Sequence, residues 1–389
     1  MCPYGDISAS IAAADSSHGW MGNGMTSVAM NRRHFSGLAL GAVALGCSGK
    51  PDRLSLQSFQ APAEDAPHAR TWMCWPSTPS LYGGRGAYYE SVQESIGRLA
   101  AAIAEHEPVT MLADTSVHLL ATRLCGPRVQ MLDVATDDMW ARDSGPVFVR
   151  SATGAKAAVD FNFNAWGDKQ RHARDGLVAR AIAARAGCDR VETHLVGEGG
   201  GLEYDGDGTL ILTESCWVND NRNPGLSRDE IEMELKRLLG IETVIWIPGV
   251  RGLDITDGHI DGSVRIVRPG VLMMAFNPED TTENADAQAE AKNILSRARD
   301  ARGRAFEIVE IEDALRTRSR RADFFSGYAN YYVGNGALYS PEFGDARADS
   351  LARVAFERLY PGRRIVTLDL DRVYENGGGV HCVTQQEPA

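Results

Sequence analysis

The chain has 389 residues, which is long for one compact core and indicates either two domains or one domain built from repeats. Hydrophobic residues make up 43% and charged residues 24%, the values of an ordinary globular protein, and this excludes wholesale disorder and a fibrous architecture. The formal net charge of -12 at pH 7 repels phosphate backbones and attracts small cations. We therefore expect no nucleic-acid partner and favour a small cationic ligand.

The first sixty residues have the pattern of an export signal. Arg32 and Arg33 directly precede an apolar run over residues 35–46, which is too short to span a bilayer. The combination resembles a twin-arginine signal and predicts a periplasmic or membrane-anchored protein without a transmembrane segment. If the arginine pair is a chance feature of a flexible tail, the protein stays in the cytoplasm instead.

Helical periodicity appears in five stretches, and each is followed by a short β-rich run. The predicted helices are 90–105, 174–186, 227–239, 285–302 and 349–358. The strands predicted after them are 109–112, 191–196, 243–247, 306–311 and 365–370. Further strands follow turn signals at 147–149, 210–212, 271–274 and 337–339.

Helices and strands that recur at a spacing of roughly sixty residues indicate an α/β fold of repeated strand-helix units. Five such units favour repeats that close around an axis, and the alternative is two ordinary α/β domains divided near residue 220. For the first reading we predict three segments. They are a non-native or disordered extension at 1–29 that precedes a start at Met30, an export signal and linker at 30–60, and a single domain at 61–389.

Unusual polar residues follow the same period. Asp143, Glu198, His259 and Cys382 are separated by 55, 61 and 123 residues, and Asp261 lies two residues after His259. Because the last interval is about two repeats, each group would occupy the equivalent loop of a different unit, and all could converge at one end of the axis. The unit that is skipped carries aromatic and amide side chains at 328–331.

These residue types together point to one reaction class. A cysteine thiolate at Cys382 is a strong nucleophile, and His259 can serve as general acid and base if Glu198 orients its ring. Two further carboxylates, Asp143 and Asp261, do not help acyl transfer, in which an anion develops. They suit a planar guanidinium, whose N–H groups pair with carboxylates in a fixed geometry. The pattern therefore predicts displacement at a guanidinium carbon.

Six ordered blocks of sequence resemble the agmatine deiminase family, which is related to the bacterial-type peptidylarginine deiminases. The likeness begins near residues 71–76 and runs to the C-terminus. The blocks are DDMWARDSGP at 137–146, DFNFNAWG at 160–167, EGG at 198–200, NDNRNP at 219–224, TDGHIDG at 256–262 and GGGVHCVTQQ at 377–386.

The resemblance implies a five-bladed pseudo-symmetric α/β propeller, the pentein fold, with residues 61–389 as one deiminase catalytic domain. It implies hydrolysis of a guanidine to a ureido group and ammonia, with no metal and no organic cofactor. Carried over by position, the nucleophile is Cys382, the acid and base is His259, and its partner is Glu198. Asp143 and Asp261 would clamp the guanidinium, and Trp140 would form a wall of the pocket. The substrate is expected to be agmatine, peptidyl-arginine is the alternative, and a homo-oligomer is left open.

Two other classes of protein were weighed against this reading. A metal hydrolase could use His259, Asp261 and the acidic run at 205–208, but Cys216 stands where a calcium loop starting at Asp205 needs a glutamate. A non-catalytic binding protein for guanidines or polyamines would need the acidic cleft but not Cys382. Turnover of agmatine distinguishes this last class from an enzyme.

Overall fold

A computed structural model describes residues 58–321 and 324–389, so the predicted extension and nearly all of the predicted export signal lie outside the described residues. The β-strands are β1 Phe59–Gln60, β2 His68–Cys74, β3 Val109–Ala113, β4 Val129–Asp133, β5 Val147–Ser151, β6 Lys156–Asp160, β7 Asp189–Glu192, β8 Glu203–Tyr204, β9 Thr209–Thr213, β10 Thr243–Ile247, β11 Val264–Arg268, β12 Val271–Phe276, β13 Glu307–Glu312, β14 Tyr332–Gly334, β15 Ala337–Pro341, β16 Arg364–Leu368 and β17 Gln385–Pro388. The α-helices are α1 Ala87–Ile103, α2 His118–Cys125, α3 Ala141–Ser144, α4 Ala165–Asp168, α5 Val178–Ala186, α6 Glu214–Trp217, α7 Arg228–Leu239, α8 Glu283–Arg297, α9 Ala346–Leu359 and α10 Asp371–Tyr374.

Local sequence signals explain why the five predicted long helices are confirmed as α1, α5, α7, α8 and α9. In α7, Ser227 and Glu230 form a reciprocal capping box at the start, and Gly240 ends the helix in the left-handed conformation at φ 66°. The strand predicted at 191–196 is placed too late, because Gly187 also ends its helix in the left-handed conformation and β7 follows almost at once. The chain has left the sheet by Thr193, whose carbonyl accepts a hydrogen bond from Asn162.

The strands form five sheets that repeat one unit. In each unit an antiparallel strand pair is followed by a helix and then by a strand that pairs in parallel, as in β5–β6–α5–β7. The same order recurs in β8–β9–α7–β10, in β11–β12–α8–β13 and in β14–β15–α9–β16. This repetition confirms the predicted mixed α/β class.

The fifth sheet joins the two ends of the described chain. The C-terminal strand β17 pairs antiparallel with β2, and β2 pairs in parallel with β3 across helix α1. Helix α2 and strand β4, which the sequence patterns missed, extend this sheet by one further parallel strand. The described residues belong to one compact unit. Among the described residues no helix is both long and apolar enough to cross a membrane.

Each repeated unit has an equivalent loop, which precedes its first strand. Asp143, Glu198, His259, Asn330 and Cys382 each lie a few residues before the antiparallel strand that opens a unit, namely β5, β8, β11, β14 and β17. Large apolar side chains fill the space between helices and sheets, so these loops rest on a packed framework. The framework therefore fixes the loops from which polar side chains can meet.

Candidate active site

The side chains predicted from the period converge in one buried site. Cys382 Sγ lies 3.5 Å from Asp261 Oδ2, His259 Nε2 lies 3.2 Å from Glu198 Oε2, and His259 Nδ1 lies 3.7 Å from Asp143 Oδ1. Each of these five residues is buried. The structure therefore brings together all the catalytic residues that the sequence patterns and the resemblance singled out, while their individual roles stay predictions.

Asp143 is held by a strained turn. Trp166 Nε1 donates to Asp143 Oδ2 at 3.0 Å, and the Gly200 amide donates to Asp143 Oδ1 at 3.1 Å. The backbone around Trp166 is left-handed, with φ of 54° at Ala165 and 59° at Trp166, which is unusual for residues other than glycine. Burial raises the pKa of Asp143 to about 6, and the nearby carboxylates of Asp261 and Glu198 add to this rise.

His259 lies between the carboxylates of Glu198 and Asp143, and Arg222 offsets the charge of Glu198. Arg222 Nε donates to both oxygens of Glu198 at 3.0 Å, and Arg222 also pairs with Asp257 at 2.8 Å. Burial alone would lower the pKa of His259, but Asp143 and the hydrogen bond to Glu198 outweigh it and raise the pKa well above its usual value. This environment favours the protonated ring, which is the form that a general acid needs.

Cys382 sits in an environment that keeps its sulfur protonated at rest. Burial raises the pKa of the thiol well above its usual value, and the carboxylates of Asp261 and Asp143 raise it further. Asn330 Nδ2 donates to Cys382 Sγ at 3.1 Å, and Asn330 Oδ1 accepts from the His381 amide at 2.9 Å. A cation placed between the two carboxylates would cancel their effect and favour the thiolate.

A polar chain behind the site was missed by the sequence patterns. His381 Nδ1 lies 2.7 Å from Asp261 Oδ2, and His381 Nε2 lies 2.8 Å from Glu64 Oε2. Arg265 in turn donates to Glu64 at 2.6 Å. Burial alone would raise the pKa of Asp261, but His381 outweighs it and lowers the pKa, so Asp261 stays ionised.

Two cavities meet at Cys382. The larger, of about 380 Å³, is lined by His259, Asp261 and Asn330, and the smaller, of about 90 Å³, is lined by Trp140, Asp143 and Trp166. The backbone of Gly377 and Gly378 borders both. Among the described residues neither lysine nor arginine lines either cavity. Asp143 and Asp261 therefore place two carboxylates where the cavities meet, and Trp140 lines the smaller cavity.

In the part of the chain that the structure describes, two groups of side chains are close enough to hold a metal ion, but an arginine is already paired with each group. The first is Glu198, Cys216 and His259, and the second is Glu64, Glu203 and His381. Arg222 occupies both oxygens of Glu198, and Arg265 bridges Glu64 and Glu203. A metal would have to displace a buried guanidinium from its carboxylates, so these donors fit a metal poorly.

Gly200 borders the space between the side chains of His259, Asp143 and Asp261. A Cβ added to Gly200 would lie 2.6 Å from His259 Nδ1, 2.8 Å from Asp143 Oδ1 and 3.2 Å from Asp261 Oδ2. His259 Nδ1 is buried and has no hydrogen-bond partner among the described residues. The carboxylate oxygens of Asp143 and Asp261 face this space as acceptors, and N–H groups of a guanidinium placed there could donate to them.

Replacing Gly200 by alanine is therefore expected to lower kcat/KM for the substrate by about a hundredfold or more, because a methyl group displaces the reacting carbon by about 1 Å. Gly176→Ala is the control, since its added Cβ would meet only ordinary contacts of 3.5 Å or more. Steady-state kinetics and thermal unfolding of both variants check the prediction. Wild-type kinetics in Gly200→Ala would show that the guanidinium lies elsewhere.

Comparison with known proteins agrees with this geometry. The family described as Porphyromonas-type peptidyl-arginine deiminase matches residues 60–388. Proteins named agmatine deiminase from Ectopseudomonas mendocina and Stutzerimonas stutzeri are each 36% identical over 356 residues, which covers 85% of this chain and 96% of theirs. A solved structure of the agmatine deiminase of Enterococcus faecalis catalysing its reaction superimposes with a TM-score of 0.80 at 28% identity, covering 86% of this chain and 97% of that one.

A match of this length, together with relatives of this identity, shows the family that the sequence blocks resemble. The cysteine, the histidine and the three acidic side chains of those blocks meet in one buried site. The chain belongs to the Porphyromonas-type peptidyl-arginine deiminase family, together with the relatives named agmatine deiminase.

Proposed function

We propose that the protein is a hydrolase that converts agmatine to N-carbamoylputrescine and ammonia. The observation that carries the proposal is the position of Cys382 where two cavities meet, with Asp143 on one side and Asp261 on the other. Relatives named agmatine deiminase at 36% identity support it. The acidic site accepts the guanidinium, and the sulfur lies where the carbon of that group is held.

The first chemical step forms a bond between Cys382 Sγ and the guanidinium carbon. The bound cation offsets the charges of Asp143 and Asp261, the thiol releases its proton to water, and the thiolate attacks. The tetrahedral adduct then collapses as His259 donates a proton to one nitrogen, which leaves as ammonia. The product of this step is an S-alkylthiouronium on Cys382.

The second step releases the ureido product. His259, now neutral, removes a proton from a water molecule, and the resulting hydroxide attacks the thiouronium carbon. Collapse of this adduct breaks the carbon–sulfur bond, the proton of its hydroxyl group passes to the sulfur and restores the thiol, and a carbonyl oxygen replaces the lost nitrogen. Asp143 and Asp261 hold the remaining N–H groups throughout, so that one carbon stays above the sulfur.

The positions of the nearby arginines favour agmatine over free arginine. A substrate carboxylate would need a basic partner, and the basic residues close to the sequence blocks are Arg142, Arg222 and Arg251. Arg222 is paired with Glu198 and Asp257, Arg142 donates to Gln386, and Arg251 donates to the Val218 carbonyl. None of the three lines either cavity.

The test is a comparison of kcat/KM for agmatine, free arginine and an arginyl peptide, with ammonia release as the assay. We expect agmatine to exceed both of the others by more than tenfold, a difference of about 1.4 kcal/mol in transition-state binding. Cys188→Ala serves as a control for thiol loss outside the site. A tenfold preference for the peptide would instead establish the peptidyl-arginine alternative, and absence of turnover would favour the binding-protein reading.

We further propose that the five repeated units close around an axis as a five-bladed α/β propeller. Five sheets with one strand order, together with the pairing of β17 with β2, support this arrangement. All five loops that precede the opening strands supply a residue to one site, which fits units arranged around a common centre. A crystal structure with successive sheets related by rotations far from one-fifth of a turn would exclude it.

Export by the twin-arginine route is the proposal for the location of the protein. Arg32 and Arg33 before the apolar run support it. A fusion of residues 30–60 to a reporter should reach the periplasm, and replacing both arginines by lysine should keep it in the cytoplasm. If the unaltered fusion also stays in the cytoplasm, the arginine pair has no role in export.

A further inference from the structure

The larger cavity beside Cys382 carries acidic groups that reaction at a guanidinium carbon does not require. Asp313 and Asp280 line it together with Asp261. Asp313 directly follows β13, and its backbone amide donates to the Phe276 carbonyl at 2.9 Å, which ties it to the end of β12. A second negative region therefore lies in the same cavity as the reacting groups.

The ring of Phe325 forms part of the wall between these two acidic regions. A Cβ added to Gly262, the neighbour of Asp261, would lie 3.5 Å from this ring. One added to Gly327 would lie 2.8 Å from the same ring and 3.4 Å from Asp313 Oδ1. Phe325 and Phe324 both line the cavity and can cover an aliphatic chain that runs from one acidic region to the other.

Asp313 is partly buried, and one oxygen of its carboxylate lacks a hydrogen-bond partner. Its Oδ1 atom is closed off from solvent and receives no hydrogen bond from any described residue. Burial raises the pKa of Asp313 to about 7, and the charges of Asp280 and Glu312 add to the rise. No lysine or arginine of the described chain lines the cavity to relieve this cost. A positively charged group of a ligand in the cavity would supply the cation that this carboxylate lacks.

We propose that Asp313, with Asp280 nearby, binds the second positive charge of a dicationic substrate while Asp143 and Asp261 hold its guanidinium. This inference rests on the proposed function and assigns the primary ammonium of agmatine to Asp313. Asp313 thereby becomes a specificity-determining residue, because a monocationic alkylguanidine leaves its carboxylate unpaired.

The test compares agmatine with butylguanidine, which has the same carbon chain without the amine. For the wild type we expect kcat/KM to favour agmatine by about tenfold or more, and in Asp313→Asn we expect this preference to shrink to less than about threefold. Turnover of butylguanidine by the variant should stay within about twofold of the wild type. Glu312→Gln is the matched control, because Glu312 adjoins Asp313 but pairs with Arg347 at 2.7 Å and does not line the cavity. It should keep the wild-type preference.

Equal kcat/KM values for the two substrates in the wild type would overturn the inference without needing any variant, and so would an unchanged preference in a folded Asp313→Asn. If the wild type turns over no guanidine at all, the proposed function fails, and calorimetry then decides the subsite separately. In that case we compare the binding of agmatine and butylguanidine to Cys382→Ala and to the double variant Cys382→Ala, Asp313→Asn. The subsite is supported if Cys382→Ala binds agmatine more tightly than butylguanidine and the double variant does not. Equal binding overturns it.

Discussion

Replacing Cys382 by alanine is expected to abolish ammonia release from agmatine while leaving agmatine binding within about tenfold of the wild type. The variant keeps Asp143, Asp261 and the cavity walls but removes the atom that bonds to the guanidinium carbon. Loss of a covalent nucleophile lowers turnover by on the order of thousands-fold or more. Steady-state assays measure the first quantity, and titration calorimetry measures the second.

The covalent step has its own readout. Acid quenching of the wild type during turnover should trap a mass adduct on the peptide that contains Cys382, and the adduct should be absent from the alanine variant. Cys188→Ala, which alters a half-buried thiol outside both cavities, should turn over at the wild-type rate. A rate near wild type in Cys382→Ala would refute the nucleophile assignment.

Asp143→Asn and Asp261→Asn are expected to be nearly inactive although they keep the shape of the site. Each removes one charge that pairs with a desolvated cation, a loss of about 2–5 kcal/mol before any misplacement of the carbon is counted. Asp261→Asn should also lower the melting temperature, because it removes the negative charge from the 2.7 Å contact with His381. Asp229→Asn, at an exposed position of α7, is the control. If both clamp variants kept activity within a few-fold, the guanidinium would have to bind elsewhere.

The same clamp predicts a pH profile. Asp143 must be ionised to hold a cation, and burial raises its pKa to about 6. Activity is therefore present above this pH and is lost as the pH falls through about 6, whereas the lowered pKa of Asp261 keeps that group ionised there. A plot of kcat/KM against pH for the free enzyme should show this acidic limb. An acidic limb near pH 4 would mean that Asp143 is not the group that titrates.

Sequence patterns located the site because its residues share the repeat. Asp143, Glu198, His259 and Cys382 were found by their spacing and their reactive side chains, and the structure places them in equivalent loops. Asn330 occupies the equivalent loop of the remaining unit and donates to Cys382 Sγ. Its side chain gives no signal in the sequence, because an amide is neither a nucleophile nor a titratable group. Only its position in the repeat indicates that it belongs to the site.

Partners that are distant in the sequence could not be predicted. Glu64 and His381 are in contact across almost the whole described chain, and no local pattern indicates which carboxylate will meet which ring. The long helices were predictable because their amphipathic faces and caps are local signals. Strands β4 and β6 were missed because their pairing is decided by neighbours in the sheet rather than by their own residues.

The pairing of β17 with β2 ties the position of the nucleophile to a contact between distant parts of the chain. Cys382 lies just before β17, and β17 pairs with a strand that precedes it by some three hundred residues. Cys382 is therefore synthesised after Asp143, His259 and Asp261, and its loop is anchored on one side only when β17 has docked on β2. Mutations in β2 can for this reason displace the sulfur without touching any residue of the site.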